Sequence, residues 1–374
     1  MKADRLLRPD IREMEPYKPI VPFEILSARL GRPIEDIVKL DANENPYGPP
    51  PGALAAVAAE RFYNIYPDPG ANALLEAIGR YTGISHELLL AGMGADDLID
   101  LVLRAIIEPG DAVIDCPPSF GMYPFSAAVN GAAYVPVFRR ANFELDVSAI
   151  EERVAQIPTA KVLFVCSPNN PDGSVIDDTT LRRLLELPIL VVLDEAYIDF
   201  AEVEGYSSRL EWVAMHDNLV VLRTFSKLAG LAGLRVGYGA FPEWLRPHLW
   251  KIKQPYNVNV AAARAAIAAL QEGDWLREKV GLLVVERQRI ARELAAFDFL
   301  HPYPSQSNFV LFRVEGRSAA KLKQDLEQQG VLVRYFKKPG LENCIRVSAG
   351  RPEDTDRLVA ALRWISTSNE EENQ

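Results

Sequence analysis

Short runs of valine, isoleucine and leucine alternate with amphipathic helical patterns through the middle of this 374-residue chain. The strand-like runs fall at 111–116, 132–138, 161–166, 189–194, 219–224 and 235–241. The helical patterns fall at 71–82, 95–107, 146–156 and 177–187, and the alanine-rich segment 260–270 also predicts a helix. Strands that are apolar throughout and separated by helices are typical of a parallel sheet with both faces covered. The sequence therefore predicts an α/β fold with a mainly parallel sheet and helices on both of its faces.

The segments on either side of this alternation have a different character. Residues 1–50 are rich in proline and predict an extended, irregular N-terminal arm. Near the C-terminus the predicted elements are a long helix at 275–297, a strand at 308–314, a helix at 317–329, strands at 331–335 and 344–348, and a helix at 353–366. We therefore predict three parts: the arm at 1–50, a large domain at 51–270 and a smaller α+β domain at 271–374.

Composition and charge exclude several classes of protein. The formal net charge is −10, so the chain lacks the basic stripe that nucleic-acid binding requires. No run approaches the ~18 apolar residues of a membrane span, and the charged N-terminus has no apolar core of signal-peptide length. The three cysteines form no CxxC pair and the four histidines lack ligand spacing, so we predict no metal site. The expectation is a cytoplasmic protein that acts on small molecules and binds neither nucleic acid nor membrane.

Polar side chains follow three of the predicted strands where each strand ends. These side chains are Asn170, Asp194, Tyr197 and Lys227. In an open α/β sheet, ligands bind at the carboxyl ends of the strands. We therefore expect these side chains to converge on one cleft.

An amine, an acid and a guanidinium in this region match the needs of one cofactor. A lysine can bond the aldehyde of pyridoxal phosphate, an acid can pair with its pyridine nitrogen, and a cation can bind its phosphate. Lys227, Asp194 and Arg235 supply that set. To attack an aldehyde the lysine must lose its proton, so its pKa must fall from ~10.4 through burial and a neighbouring cation. Arg235 is the candidate for that cation.

Each of these residues also has an ordinary structural explanation. A single lysine is usually a solvated charge, and an acid after a strand usually caps a helix. Tyr197 could serve packing alone, and Asn170 lies in a turn rich in Asn, Pro and Gly. Asp194, however, directly follows the apolar run 191–193, where an unpaired carboxylate would be costly. The combination favours a cofactor site over separate structural roles.

The segment Gly92–Asp97 offers a place for a phosphate. It has two glycines of the dinucleotide fingerprint G-x-G-x-x-G, but Asp97 replaces the third, so it is a weak signal for an oxidoreductase. A helix that begins there would present free N–H groups to an anion. The residues predicted to bind the phosphate are Ala95, Asp96, Thr224, Ser226 and Arg235. The sequence has neither the G-x-S-x-G elbow of hydrolases nor a P-loop.

Motifs spread along nearly the whole chain resemble one family. They are Pro16–Lys18, Leu40–Pro46, Tyr66–Pro69, Gly94–Asp96, Phe120–Tyr123, Ser167–Pro171, Asp194–Tyr197, Arg223–Lys227, Ala232–Arg235, Ser307–Phe309, Val333–Arg334 and Ile345–Val347. On these motifs the chain resembles the pyridoxal-phosphate enzymes of the aspartate aminotransferase fold (fold type I), and within them the class II histidinol-phosphate aminotransferases. The resemblance implies transamination between histidinol phosphate and 2-oxoglutarate in histidine biosynthesis. An aromatic or broad-specificity aminotransferase and a threonine-phosphate decarboxylase remain alternatives; the segment Asn43–Pro46 argues against the decarboxylase.

The resemblance also implies a role for each residue around the cofactor. Lys227 would bond the cofactor and act as general base, and Asp194 would pair with the pyridine nitrogen. Asn170 and Tyr197 would bind the ring hydroxyl. Phe120 stands where the family usually has a tyrosine stacked on the ring, so stacking is kept and a hydroxyl is lost.

Further residues are implied to bind the phosphate and the substrate. Tyr66 would reach the cofactor phosphate from a neighbouring subunit, which implies a homodimer with shared active sites. The substrate-binding residues would be Tyr17, Asn43, Arg334 and Arg346. Asp172 replaces the usual threonine or serine in the turn after Asn170, a change expected to affect the loop and not the cofactor.

Overall fold

The computed structural model describes residues 6–17 and 21–371, with side chains up to residue 367. The helices are α1 Pro9–Glu13, α2 Phe23–Leu30, α3 Pro51–Ala59, α4 Asn72–Thr82, α5 Ala95–Ile106, α6 Met122–Val129, α7 Val147–Gln156, α8 Asp178–Leu185, α9 Arg246–Ile252, α10 Val260–Gln271, α11 Gly273–Leu294, α12 Ala319–Gln328 and α13 Pro352–Glu371. The strands are β1 Val38–Leu40, β2 Leu89–Gly92, β3 Ala112–Asp115, β4 Ala133–Pro136, β5 Ala160–Cys166, β6 Leu190–Asp194, β7 Leu219–Thr224, β8 Gly237–Ala240, β9 Leu300–Pro302, β10 Phe309–Val314, β11 Val331–Tyr335 and β12 Cys344–Ser348.

A seven-stranded sheet, called here the large sheet, has the strand order β2-β8-β7-β6-β5-β3-β4. Neighbouring strands from β7 to β4 pair in parallel. Strand β8 pairs antiparallel with both β7 and β2, so it runs against the other strands of this sheet. The predicted mainly parallel sheet is confirmed.

Alternate residues of the central strands face opposite sides of the large sheet, as the pleat requires. On β6, Val191 and Leu193 belong to one apolar cluster, whereas Leu190 and Val192 belong to another. Residues of α4, α7, α8 and α10 pack into the first cluster, and residues of α5, α6 and α9 pack into the second. The prediction of helices on both faces is therefore confirmed.

A second, five-stranded sheet has the order β1-β11-β12-β10-β9. Helices α11, α12 and α13 contribute Ile290, Leu322 and Leu358 to the core behind it. Helix α11 links the two sheets, because Leu276 near its start packs into the core of the large sheet and Ile290 packs into this one. A continuous helix thereby connects the cores of the two sheets.

The prediction that residues 1–50 form an irregular arm is wrong for three segments. Helices α1 and α2 form, and β1 pairs in parallel with β11, with Val38 opposite Val331. The side chains of Val38 and Leu40 are buried by a sheet whose other strands lie far along the chain, so no local pattern marks them. Strands β2 and β9 and helices α3, α6 and α9 are also absent from the sequence-based prediction. The three predicted parts, with limits at residues 50 and 270, stay a prediction.

Among the residues that the structure describes, no helix combines the length and the apolar character needed to cross a membrane.

Candidate active site

The carboxyl ends of β5, β6 and β7, which are neighbours in the large sheet, open into a cavity of about 180 Å³. The residues predicted from the sequence that line it are Ala95, Asp96, Phe120, Asn170, Asp194, Tyr197, Thr224, Ser226, Lys227 and Arg235. We call this space the inner cavity. Every predicted cofactor-binding residue except Tyr66 lies in its wall.

Lys227 is half-buried in the wall of the inner cavity, directly after β7. Its Nζ lies 3.3 Å from the backbone oxygen of Ala42, to which it donates a hydrogen bond. Burial and the nearby charge of Arg346 lower the pKa of Lys227 to about 8. The pKa of Lys227 is thus lowered as expected, but the cation mainly responsible is Arg346. Arg235, the cation expected from the sequence, pairs with Asp96 instead. The amine is thus prepared to act as a nucleophile near neutral pH.

Asp194 is the buried last residue of β6. Burial raises the pKa of its carboxyl group to about 6, and a hydrogen bond of 2.7 Å from the Tyr123 hydroxyl opposes that rise. The ring of Tyr123 stacks on Phe164 at 4.7 Å between centroids. The sequence places Tyr123 in a family motif but predicts no function for it. Its position three residues after Phe120 is the sequence feature that could have identified it as a site residue.

Two polar networks link the inner cavity to the second sheet. Asn43 donates from Nδ2 to the Tyr197 hydroxyl at 3.0 Å. Arg346, on β12, donates from Nη1 to Oδ1 of Asn170 at 2.6 Å and from Nη2 to the backbone oxygen of Asp41 at 2.9 Å. The residues predicted to bind the cofactor ring and those predicted to bind the substrate are therefore in direct contact.

The start of α5 forms one end of the inner cavity, called here the anion-binding end because its groups suit an anion. Gly94 precedes the helix with φ of 79° and supplies no side-chain cap, so the first N–H groups of α5 keep the capacity to bind a ligand. A Cβ at position 94 would lie 2.8 Å from Nη2 of Arg235. The hydroxyls of Thr224 and Ser226 are 2.9 Å apart at the same end. A helix N-terminus, a guanidinium and two hydroxyls fit a phosphate group.

A larger cavity of about 430 Å³ adjoins the first and shares Phe120, Asn170, Tyr197 and Lys227 with it. We call it the outer cavity. All four residues predicted to bind substrate line it: Tyr17, Asn43, Arg334 and Arg346.

The outer cavity contains two arginines that stand opposite each other. Arg334 on β11 and Arg346 on β12 are register partners in an antiparallel pair, so both side chains leave the same face of the sheet. Burial and the charge of Arg334 help to lower the pKa of Arg346 to about 10. Among the described residues, Nε of Arg346 has no hydrogen-bond partner although it is buried. Two adjacent guanidinium groups with spare donors fit an anionic ligand.

Tyr66 lies outside both cavities. Its side chain is 79% exposed and stacks on Tyr256 at 4.6 Å between ring centroids. Phe62, Tyr63 and Ile65 beside it are each more than half exposed. The structure therefore does not bring Tyr66 to the site of its own chain.

Two positions depart from the family pattern. Phe120 lines both cavities and packs edge-on against Tyr123 at 5.7 Å, so its ring is available for stacking. Asp172 is buried and accepts hydrogen bonds from the Asn169 side chain and from the backbone N–H of Ser174, the latter at 2.8 Å. The aspartate therefore holds the turn next to Asn170 and does not enter the cavity.

Comparison with known families agrees with this geometry. The profile of the family "Aminotransferase class I and II" matches residues 35–362, which include every site residue above except Tyr17. The chain belongs to the class I and II aminotransferases. The similarity covers both sheets and the cleft between them.

Relatives of this aminotransferase are similar along almost their whole length. The chloroplastic histidinol-phosphate aminotransferase of Nicotiana tabacum is 53% identical over 362 residues, covering 96% of this chain and 87% of the relative. The histidinol-phosphate aminotransferase of Roseiflexus castenholzii is 51% identical over 369 residues, covering 96% of this chain and 98% of the relative.

A solved structure shares the fold of this aminotransferase. The histidinol-phosphate aminotransferase of Sinorhizobium meliloti, in complex with pyridoxal-5′-phosphate, superposes with a TM-score of 0.88 at 30% identity. The match covers 97% of this chain and 98% of that one. The predicted fold type is therefore confirmed.

Proposed function

We propose that this aminotransferase uses pyridoxal phosphate to transfer an amino group between histidinol phosphate and 2-oxoglutarate, giving imidazole-acetol phosphate and L-glutamate in histidine biosynthesis. The observation that carries the proposal is the pair Arg334 and Arg346, set opposite each other in a cavity that also contains Lys227. Two such cations beside an amine-exchanging centre suit a phosphate monoester that carries an amino group. The names of the relatives and the cofactor of the Sinorhizobium meliloti enzyme support the same assignment.

The inner cavity supplies a group for each part of pyridoxal phosphate. Lys227 would bond the aldehyde, Asp194 would pair with the pyridine nitrogen, and Phe120 would stack on the ring. Asn170 and Tyr197 would bind the ring hydroxyl. The residues at the anion-binding end would hold the phosphate, namely Ala95, Asp96, Thr224, Ser226 and Arg235. When bound, the cofactor supplies an aldehyde for amine exchange and a ring that accepts the electron pair left by a broken C–H bond.

Lys227 is the base that moves the proton of the substrate. A lysine with a pKa of about 8 has a sizeable neutral fraction near neutral pH, so Nζ can take the proton from the amine-bearing carbon and return it elsewhere. Asp194, with a carboxyl pKa of about 6, remains largely ionised in the same range and can balance a protonated ring nitrogen. The hydrogen bond from Tyr123 keeps it ionised.

The outer cavity positions the substrate. Arg346 binds the carboxylate of glutamate and, in the other half-reaction, the phosphate of histidinol phosphate. Arg334 and Tyr17 assist with the phosphate, because a dianion can use both guanidinium groups. Asn43 fixes the Tyr197 hydroxyl between the two cavities.

A homodimer with shared active sites completes the proposal. Tyr66 cannot serve its own chain, since it lies outside both cavities and faces solvent. The exposed aromatic and aliphatic side chains at 62–66 form a surface that a second copy of the chain would cover. We also propose a reducing compartment such as the cytoplasm, because Cys116, Cys166 and Cys344 are free thiols.

Half-reactions of the purified enzyme test the substrate assignment. Glutamate, histidinol phosphate, phenylalanine and tyrosine are each mixed with the cofactor-loaded protein, and the cofactor absorbance is followed. We expect rapid conversion with histidinol phosphate and glutamate and much slower conversion with the two aromatic amino acids. Comparable kcat/KM for all four would favour a broad-specificity aminotransferase. Release of carbon dioxide from threonine phosphate would favour the decarboxylase.

A further inference from the structure

The strand order of the large sheet arranges the site in a line. The anion-binding end lies after β2 and β7 and before the antiparallel β8, and the ring-binding residues Asp194 and Asn170 lie at the ends of β6 and β5. The next strands in the sheet are β3 and β4, whose ends line the outer cavity alone. A substrate that reacts at Lys227 therefore extends its side chain toward β3 and β4 or toward the arginines of the second sheet.

Asp115, the last residue of β3, stands at that far end. Its carboxylate lines the outer cavity although the residue is only 2% exposed. One oxygen accepts from the backbone N–H of Cys116 at 2.7 Å, and the other accepts from the Tyr134 hydroxyl at 3.0 Å. A carboxylate has about four acceptor sites, so two remain for a ligand.

Two cations lie near Asp115, namely Arg139 and Lys338. Both lower the pKa of its carboxyl group, but in the part of the chain that the structure describes neither forms a salt bridge with it. The Arg139 guanidinium donates instead to the backbone oxygens of Cys116 and Phe143, at 3.1 and 2.9 Å. Burial, the largest effect, raises the pKa of Asp115 to about 6, so the group is mostly an anion at neutral pH. A buried carboxylate in a ligand cavity without an ion-pair partner is a candidate for ligand recognition.

The walls next to this carboxylate are aromatic. Tyr134, Phe138 and Phe336 line the same cavity. An acceptor framed by aromatic rings suits a flat heteroaromatic group with an N–H donor, and it suits a cationic one still better. The outer cavity is thus bipolar, with two arginines for an anion and one carboxylate for a ring N–H.

We propose that Asp115, oriented by Tyr134, accepts a hydrogen bond from the imidazole N–H of the substrate and so selects imidazole over phenyl side chains. This inference rests on the proposed function. Histidinol phosphate carries its phosphate and its imidazole on different arms of the amine-bearing carbon. The two arms match the arginine pair and Asp115. The β6 and β3 ends are two strand spacings apart, roughly 10 Å, which leaves room for the ring beyond the cofactor.

The test compares histidinol phosphate with phenylalaninol phosphate, which keeps the amine and the phosphate but has no ring N–H. We expect Asp115→Asn and Asp115→Leu to lower kcat/KM for histidinol phosphate about ten- to hundredfold. The values for phenylalaninol phosphate and for the glutamate half-reaction should stay within about threefold of wild type. Tyr134→Phe should cause a smaller loss in the same direction. Asp111→Asn, at the other end of β3 and paired with Lys161 at 2.7 Å, is the matched control and should leave both substrates unaffected.

A second measurement separates recognition from folding and turnover. Lys227→Ala protein is titrated with histidinol phosphate by calorimetry, with and without Asp115→Asn, and we expect the Kd to rise about tenfold. Equal losses for both phosphate substrates, or an unchanged Kd, would overturn the role of Asp115 while leaving the proposed function intact. A wild-type enzyme that accepts glutamate and phenylalanine but neither phosphate would overturn both.

Discussion

Tyr123 donates a hydrogen bond of 2.7 Å to Oδ2 of Asp194 within the core on one face of the large sheet. Because this bond lowers the pKa of the carboxyl group against the effect of burial, Tyr123→Phe should raise that pKa above its present value of about 6. The carboxylate takes up a proton as the pH falls through its pKa, and cofactor affinity should fall with it. In the variant this loss of affinity on acidification should begin at a higher pH than in the wild type. The Kd for pyridoxal phosphate between pH 5 and 8 measures this. Tyr303→Phe, in a separate cluster, should leave the profile unchanged.

The pKa of Lys227 predicts the pH at which the cofactor-free protein takes up pyridoxal phosphate. The neutral amine is the nucleophile, so the rate of uptake should rise with pH around a midpoint of about 8 rather than at the ordinary value of 10.5. Arg346→Ala removes a charge that lowers this pKa and should move the midpoint upward, whereas Arg346→Lys should keep it. Borohydride reduction and peptide mapping should place the adduct on Lys227; an adduct on another lysine would refute the assignment.

A side chain at position 94 should weaken binding of the cofactor phosphate. A Cβ there would lie 2.8 Å from the Arg235 guanidinium, in the space next to the start of α5. We expect Gly94→Ala to weaken pyridoxal phosphate binding at least tenfold. Gly83 has the same φ of 79° with ψ of −1°, against ψ of 178° at Gly94, and a methyl group on its Cα would meet nothing within 4 Å. Gly83→Ala is therefore a control for positive φ without a clash, with less backbone strain than Gly94→Ala. A similar loss of cofactor affinity in both variants would point to strain alone.

Tyr66 should act on the partner subunit. Mixing Tyr66→Ala with Lys227→Ala, each inactive alone, should restore about a quarter of wild-type activity, since half of the dimers are hybrids with one intact site. The recovery should require exchange of subunits and should depend on protein concentration. Full activity in a protein that sedimentation shows to be monomeric would contradict the shared site.

The two opposed arginines should differ in substrate dependence. Arg334→Ala should lower kcat/KM for histidinol phosphate far more than for phenylalanine, whereas Arg346→Ala should lower it for every substrate, because each presents an anion there. Loss of a charge-assisted hydrogen bond costs ~1.5–3 kcal/mol, or about ten- to hundredfold. Arg313→Ala, exposed on β10 and paired with Glu315 at 2.7 Å, is the control. Equal losses for both substrates with Arg334→Ala would favour the broad-specificity alternative.

The parts of the fold that local sequence predicts are those whose burial is visible in the local pattern. Strands β5, β6 and β7 are apolar along their length because both faces of the sheet are covered, and their ends gather the residues of the inner cavity. Strand β1 has only three residues and is buried by a partner strand nearly 300 positions away. The residues next to it in sequence therefore give no sign that it is buried.

The candidate site shows the same limit. Lys227, Asp194 and Asn170 could be identified from the sequence because each lies at or just after the end of a recognisable strand. Nearness in sequence points to Arg235 as the cation beside Lys227, whereas Arg346 arrives from the second sheet. Asp115 ends a strand just as Asp194 does, and that parallel is the signal by which the sequence could have revealed it. Its connection to Tyr134 depends on the pairing of β3 with β4 and cannot be read from either segment alone.

The large sheet places the two ends of the site on different strands, so the residues at one end can change in evolution without changing those at the other. The anion-binding end depends on β2, β7 and β8, while the far wall of the outer cavity depends on β3 and the edge strand β4. Substitutions at positions 115, 134 and 138 can therefore accumulate in a lineage without loss of cofactor. Proteins descended from such a chain would keep transamination while their specificity for the amine substrate changed. The β3 and β4 side of the sheet would vary, and the cofactor-binding side would not.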